Sequence, residues 1–173
     1  MNANSPEERL AQAGLALPPP PQPRGNYAPF HLHPLRGGDY QLTFSGQTCR
    51  VNGVAIAGMC TPAESIEPAR EAAKTAMLNL LAAVSVACDG ALPARLVVTR
   101  LRGFIRSSVE FTAHTRVLDA ASEMLTIAWP EVARPARTAV GVSSLPDGAF
   151  IEIEMDAILP FDDQSECRST APG

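Results

Sequence analysis

The 173 residues amount to 18.3 kDa and carry 14 basic against 18 acidic groups, a net charge of -4. That length supports one sizeable core and falls short of two ordinary domains. With 46% hydrophobic and only 18% charged residues, intrinsic disorder is excluded for the bulk of the chain. No apolar run approaches the roughly 18 residues that cross a bilayer, and Met1 to Leu10 is polar and acidic where a secretory signal would be basic and then apolar. A cytoplasmic chain with no membrane partner is therefore expected.

Ser5-Pro6-Glu7-Glu8 reads as a helix start, with serine as cap, proline at the first helical position and a glutamate placed to close a capping box. The short helix runs to about Ala13. Pro18 to Pro21 with Pro23 then hold the backbone near polyproline II, so residues 1–26 form a helix and a stiff surface arm. Strands are expected over Tyr27 to Leu35 and Tyr40 to Ser45, turned by Gly37-Gly38, with a short third strand flanking Asn52-Gly53. Beyond Ser65 the period changes. Ile66, Ala69, Ala73, Met77, Leu80, Leu81, Val84 and Cys88 fall on one helical stripe that Gly90 closes.

Arg95 to Ser107 alternates as a long strand, and a second helix follows with Val117, Leu118, Ala121, Met124, Leu125 and Ala128 on its buried face, ended by Pro130. Ala136 to Leu145 and Ala149 to Leu159 read as a terminal hairpin about Pro146-Asp147-Gly148. The order suits an α+β domain over residues 27–160: a mixed sheet with two helices on one face. Residues 161–173 form a polar tail. Small apolar residues at Ala139, Val140, Gly141 and Val142 with no third helix to cover them point to self-association through the open sheet face.

The chemistry-bearing residues are sparse. Cys49, Cys60, Cys88 and Cys167 have no CxxC and no zinc spacing, which suits reduced thiols in the cytoplasm. His31 and His33 lie two apart without a carboxylate cluster, so no metal is expected. There is no GxSxG elbow and no glycine-rich strand-to-helix loop. Thirteen scattered arginines do not form the stripe that a nucleic acid would need. Arg137, on a strand of small residues, has the open surroundings in which a guanidinium fork can clamp a carboxylate; the alternative is an arginine paired across the hairpin with Glu152, Glu154 or Asp156.

Pro135-Ala136-Arg137-Thr138-Ala139-Val140 with Leu145-Pro146 and Ile151-Glu152-Ile153-Glu154 resembles the signature of the RidA (YjgF) family of reactive intermediate deaminases, formerly called L-PSP endoribonucleases. Gly25-Asn26-Tyr27 and Ser45-Gly46-Gln47 extend the resemblance, which covers about Gly25 to Leu159. It implies a chorismate-mutase-like fold, a homotrimer with sites in clefts between subunits, and no cofactor. By motif, Arg137 would bind a substrate carboxylate, Glu152 would activate water, and Tyr27 and Ser45 would line the pocket. Ala139 stands where many members carry cysteine, and keeps its backbone amide; Asp119 stands where many carry an asparagine facing the cleft. The implied activity is hydrolysis of small reactive 2-imino or enamine acids to 2-oxo acids and ammonia. The alternative is a non-catalytic binder of small carboxylates that uses the same cleft.

Overall fold

The computed structural model describes residues 4–131 and 134–161. Helix α1 (Pro6–Gln12) opens with the expected capping box: the Glu8 amide donates to Ser5 Oγ and the Ser5 amide to the Glu8 carboxylate. Its Leu10 is buried in the core, and Arg9 Nε donates to the Ala128 carbonyl at 2.8 Å. The arm is thus anchored at its start.

Strands β1 (Phe30–Pro34) and β2 (Tyr40–Thr48) pair antiparallel, and β3 (Arg50–Val51) with β4 (Val54–Ala55) make a separate small ladder about Asn52-Gly53. Helix α2 (Glu67–Ala87) follows, its start held by the Glu67 amide donating to Ser65 Oγ at 3.2 Å. The alanines at 69, 72, 73 and 76 are buried, and their small side chains allow α2 to pack closely against its neighbours. Strand β5 (Val97–Arg106), helix α3 (His114–Ala128), strand β6 (Ala136–Val142) and strand β7 (Ile151–Leu159) complete the order.

The five-stranded sheet runs β1-β2-β7-β5-β6, antiparallel except for the β5–β6 pair. Helices α2 and α3 pack on one face, and α1 packs on α3. The mixed α+β architecture expected from the sequence is present, with a third helix. The terminal hairpin is not. Strands β6 and β7 lie on either side of β5, because β7 buries Ile151, Ile153, Met155, Ala157 and Leu159 in alternation and is paired along both flanks, whereas the small residues of β6 suit an edge. Ala139 and Gly141 also turn toward the helices: Ala139 pairs in register with Gly103 and packs against the core, and a Cβ on Gly141 would meet His114 Nε2 at 2.6 Å. The opposite face is polar. It carries Arg102 bonded to Glu154 at 2.8 Å and Asp156 at 3.0 Å, with His31 and His33 exposed nearer the β1 edge.

Cys49 and Cys60 are free and buried. Among the described residues no helix is long and apolar enough to cross a membrane. The expected C-terminal tail lies, from residue 162 on, outside the described residues.

Candidate functional site

The expected site residues separate into two groups on opposite sheet faces. Glu152 belongs to the polar face, since its neighbours Ile151 and Ile153 are the buried ones. It faces Thr48 of β2 and Phe104 of β5. The irregularity in β2 between Phe44 and Gln47 brings Gly46 against it, so closely that a Cβ there would stand 2.0 Å from Glu152 Oε1. Any larger residue there would push the carboxylate aside. Burial pushes the Glu152 carboxyl pKa up, the Glu154 charge adds to that, and the Arg50 charge opposes it.

Ser45, next to Gly46 on β2, donates from Oγ to the Ala28 carbonyl at 2.7 Å, and the Tyr27 hydroxyl accepts from the Arg24 amide at 3.4 Å. Tyr27 therefore lies at the end of the N-terminal arm, and Ser45 is tied to that segment through Ala28. Arg50, which sequence reasoning missed, uses three of its five N–H donors within the protein: Nε donates to Thr48 Oγ1 at 2.8 Å, Nη1 to the Gly53 carbonyl at 3.1 Å and Nη2 to Asp147 Oδ2 at 2.7 Å. Arg24 Nη1 reaches the same Asp147 oxygen at 2.7 Å. Two guanidinium groups hold the Asp147 carboxyl below the usual carboxylate range. Asn79 of α2 is buried and donates to the Thr48 and Arg50 carbonyls at 3.1 and 3.0 Å, which holds the corner from which Arg50 projects. The Asn52-Gly53 turn was the signal that could have located Arg50 at the foot of a hairpin.

Arg137 lies on the other face. In register with buried Leu101, it points toward α3, where Nη1 makes an ion pair with Asp119 Oδ1 at 2.7 Å and donates to Ser122 Oγ at 2.9 Å. The expected alternative of a pairing with Glu152, Glu154 or Asp156 is excluded by the intervening strand β5. Beside the guanidinium opens a cleft of about 830 Å³ whose lining includes Val98, Asp119, Ser122, Trp129, Arg134 and Arg137. Ala139 is two residues along β6 from Arg137, on the same face. Among the described residues, no group of three or more His, Cys, Asp or Glu side chains could hold a metal ion.

The chain thus presents a cation with a cleft on the helix-covered side of its sheet and a half-buried acid on the other side. The fold and both sequence blocks define a class. The family profile described as Endoribonuclease L-PSP matches residues 23–159, and the chain belongs to that family, which is the YjgF/RidA family. It is 31% identical to Protein TCP17 of Trypanosoma cruzi over 147 residues, 84% of this chain and 88% of that protein. Among solved structures it resembles the Agrobacterium tumefaciens protein Atu1372, of unknown function, at 33% identity and a TM-score of 0.75, covering 89% of this chain and 91% of that one. A candidate endoribonuclease of Shewanella oneidensis is 30% identical with a TM-score of 0.79, covering 90% of this chain and all (100%) of the other. The Escherichia coli protein TdcF, solved with bound serine, shares the fold at 19% identity and a TM-score of 0.54, over 82% of this chain and 94% of its own.

Proposed function

We propose that this chain hydrolyses small 2-imino acids to 2-oxo acids and ammonia at a site completed by two subunits, with Arg137 from one and Glu152 from the next. The observation that carries this reading is the placement of the two groups on opposite faces of one sheet. A single chain cannot bring them to one small molecule. Cyclic packing of the uncovered face of one copy against the β6 edge of another can, and the homotrimer implied by family membership is such a packing.

In that cleft Arg137 holds the substrate carboxylate through Nη2 and Nε, which bond to nothing among the described residues, so the imine carbon meets an oriented water in place of a random encounter. Glu152 accepts the proton of the water as its oxygen bonds to C2, and returns a proton to the nitrogen as the C2–N bond breaks. Ammonia leaves and the C2 carbonyl forms. A carboxyl whose pKa is raised by burial is suited to both transfers. Tyr27 and Ser45 line the Glu152 side of the cleft, and Asp119 and Ala139 the Arg137 side.

The test generates 2-iminopropionate in situ and follows pyruvate. Arg137→Ala and Glu152→Gln should each abolish acceleration, and dissociating and mixing the two inactive variants should restore part of it, since mixed oligomers contain some interfaces with both groups intact. No acceleration by the wild type defeats the deaminase reading, and no recovery on mixing defeats the shared site.

The 2.7 Å pairing of Arg137 with Asp119 favours a second reading, a non-catalytic binder of small carboxylates. Calorimetry that detects binding of a small carboxylate without turnover of 2-iminopropionate would select it. Ribonuclease action, which the family's description names, has less support: Arg24, Arg50, Arg70, Arg102 and Arg137 are each paired with a carboxylate, and a net charge of -4 does not favour a phosphate backbone.

A further inference from the structure

The cleft beside Arg137 has charges of both signs in its wall, and they differ in how far the fold has already committed them. Glu123 is held by Arg70 at 2.9 Å. Asp119 meets Arg137 alone among its recorded ion-pair partners, and its side chain is 49% exposed. A pair this open to water adds little to the stability of the fold. It does decide what can approach Arg137. Because both bonds of the guanidinium among the described residues leave from Nη1, to Asp119 and to Ser122, the Nη2 and Nε edge is left to a ligand, and Asp119 shares the wall of the cleft that such a ligand enters.

For a plain anion that position is unfavourable, since its charge is set against that of Asp119. A zwitterion fits it. With a carboxylate on C1 and a protonated nitrogen on C2, the ligand offers the guanidinium an acid and Asp119 an N–H donor of opposite charge. We infer that Asp119 is the specificity-determining residue of this cleft: it selects acids whose adjacent carbon bears a protonated nitrogen and turns away the corresponding 2-oxo acids. The inference rests on Arg137 as the carboxylate-binding group and names the protonation state of the substrate, the iminium form. It also gives release of product a cause. Hydrolysis exchanges C=NH2+ for C=O, the positive charge leaves with ammonium, and the 2-oxo acid remains as an anion facing Asp119.

The experiment compares two ligands of one carbon skeleton, L-alanine as the zwitterion and pyruvate as the anion, by titration calorimetry on the wild type, Asp119→Asn, Asp119→Glu and Arg137→Ala. The wild type should prefer L-alanine. Removing the charge in Asp119→Asn should move the ratio of the two affinities toward pyruvate by about tenfold or more, and Asp119→Glu should keep the wild-type preference. A ratio unchanged in Asp119→Asn, or an equal loss for both ligands, overturns the inference and reduces Asp119 to a residue that positions Arg137. If pyruvate binds the wild type, is lost in Arg137→Ala and shows no such shift, the carboxylate site stands without the selector. If neither ligand binds the wild type, both fall.

Discussion

Gly46 and Glu152 are in contact across two strands: the space that a methyl group would take at Gly46 is occupied by the carboxylate, 2.0 Å from Oε1. Gly46→Ala should therefore displace the acid while leaving the core untouched, because this contact lies on the polar face. An oriented general base moved by about 1 Å loses on the order of a hundredfold in rate. The expected outcome is a fall of that size in kcat for 2-iminopropionate with an ordinary melting temperature. Unchanged kcat would show that Glu152 does not act on the water.

The raised Glu152 pKa has a consequence for stability that can be read without substrate. A carboxyl whose pKa in the folded chain exceeds its unfolded value binds more protons when folded. Its ionisation therefore opposes folding as pH rises from the unfolded pKa through the folded one. Glu152→Gln should melt higher than the wild type at neutral pH, and the difference should vanish as pH is lowered through that window. Denaturant midpoints measured across it check the sign, and a variant equally or less stable at neutral pH would contradict the burial argument.

Gly103 of β5 lies directly against Leu118 of α3. A Cβ there would stand 2.6 Å from Leu118 Cδ1. Gly103→Ala should cost about 1 to 3 kcal/mol through overpacking, and should move Asp119, the next residue on α3, relative to Arg137. Thermal unfolding reads the first effect and the affinity for pyruvate the second.

Asp147 joins Arg24 of the arm to Arg50 beside Glu152. Because its backbone is left-handed, at φ 53°, Asp147→Asn removes the charge without strain where Asp147→Ala would add some. Proteolysis within residues 14–26 should be faster in Asp147→Asn at neutral pH. In the wild type, protection should persist into mild acid and disappear as pH falls through the depressed Asp147 pKa, since a lowered carboxyl stabilises above that value and not below.

Much of the fold was legible from periodicity. The stripe from Ile66 to Cys88 and the box at Ser5 to Glu8 are local signals, and α2 and α1 carry them. The β6–β7 hairpin was misread because a proline-led turn states only that the chain reverses. Which strand then lies beside which is decided by who must be covered on both flanks, and the Ile-Glu alternation of β7 set against the small residues of β6 was the available clue. For the site, motif resemblance nominated Arg137, Glu152, Tyr27 and Ser45, yet no pattern within one strand states which face it shares with another. Arg50 and Ser122 went unseen for a related reason: each acts through a partner distant in sequence, Asp147 and Arg137.

The strand order has an implication for how the molecule is made. β1–β2 and β5–α3–β6 touch one another in the sheet only through β7, the last strand of the described chain. During synthesis the two halves must wait, each with an unfilled flank, until Ile151–Leu159 has emerged to slot between them. A ribosome stalled before that point therefore holds two half-sheets and no finished core, and a peptide spanning that strand would be the natural piece to complete a truncated chain supplied separately.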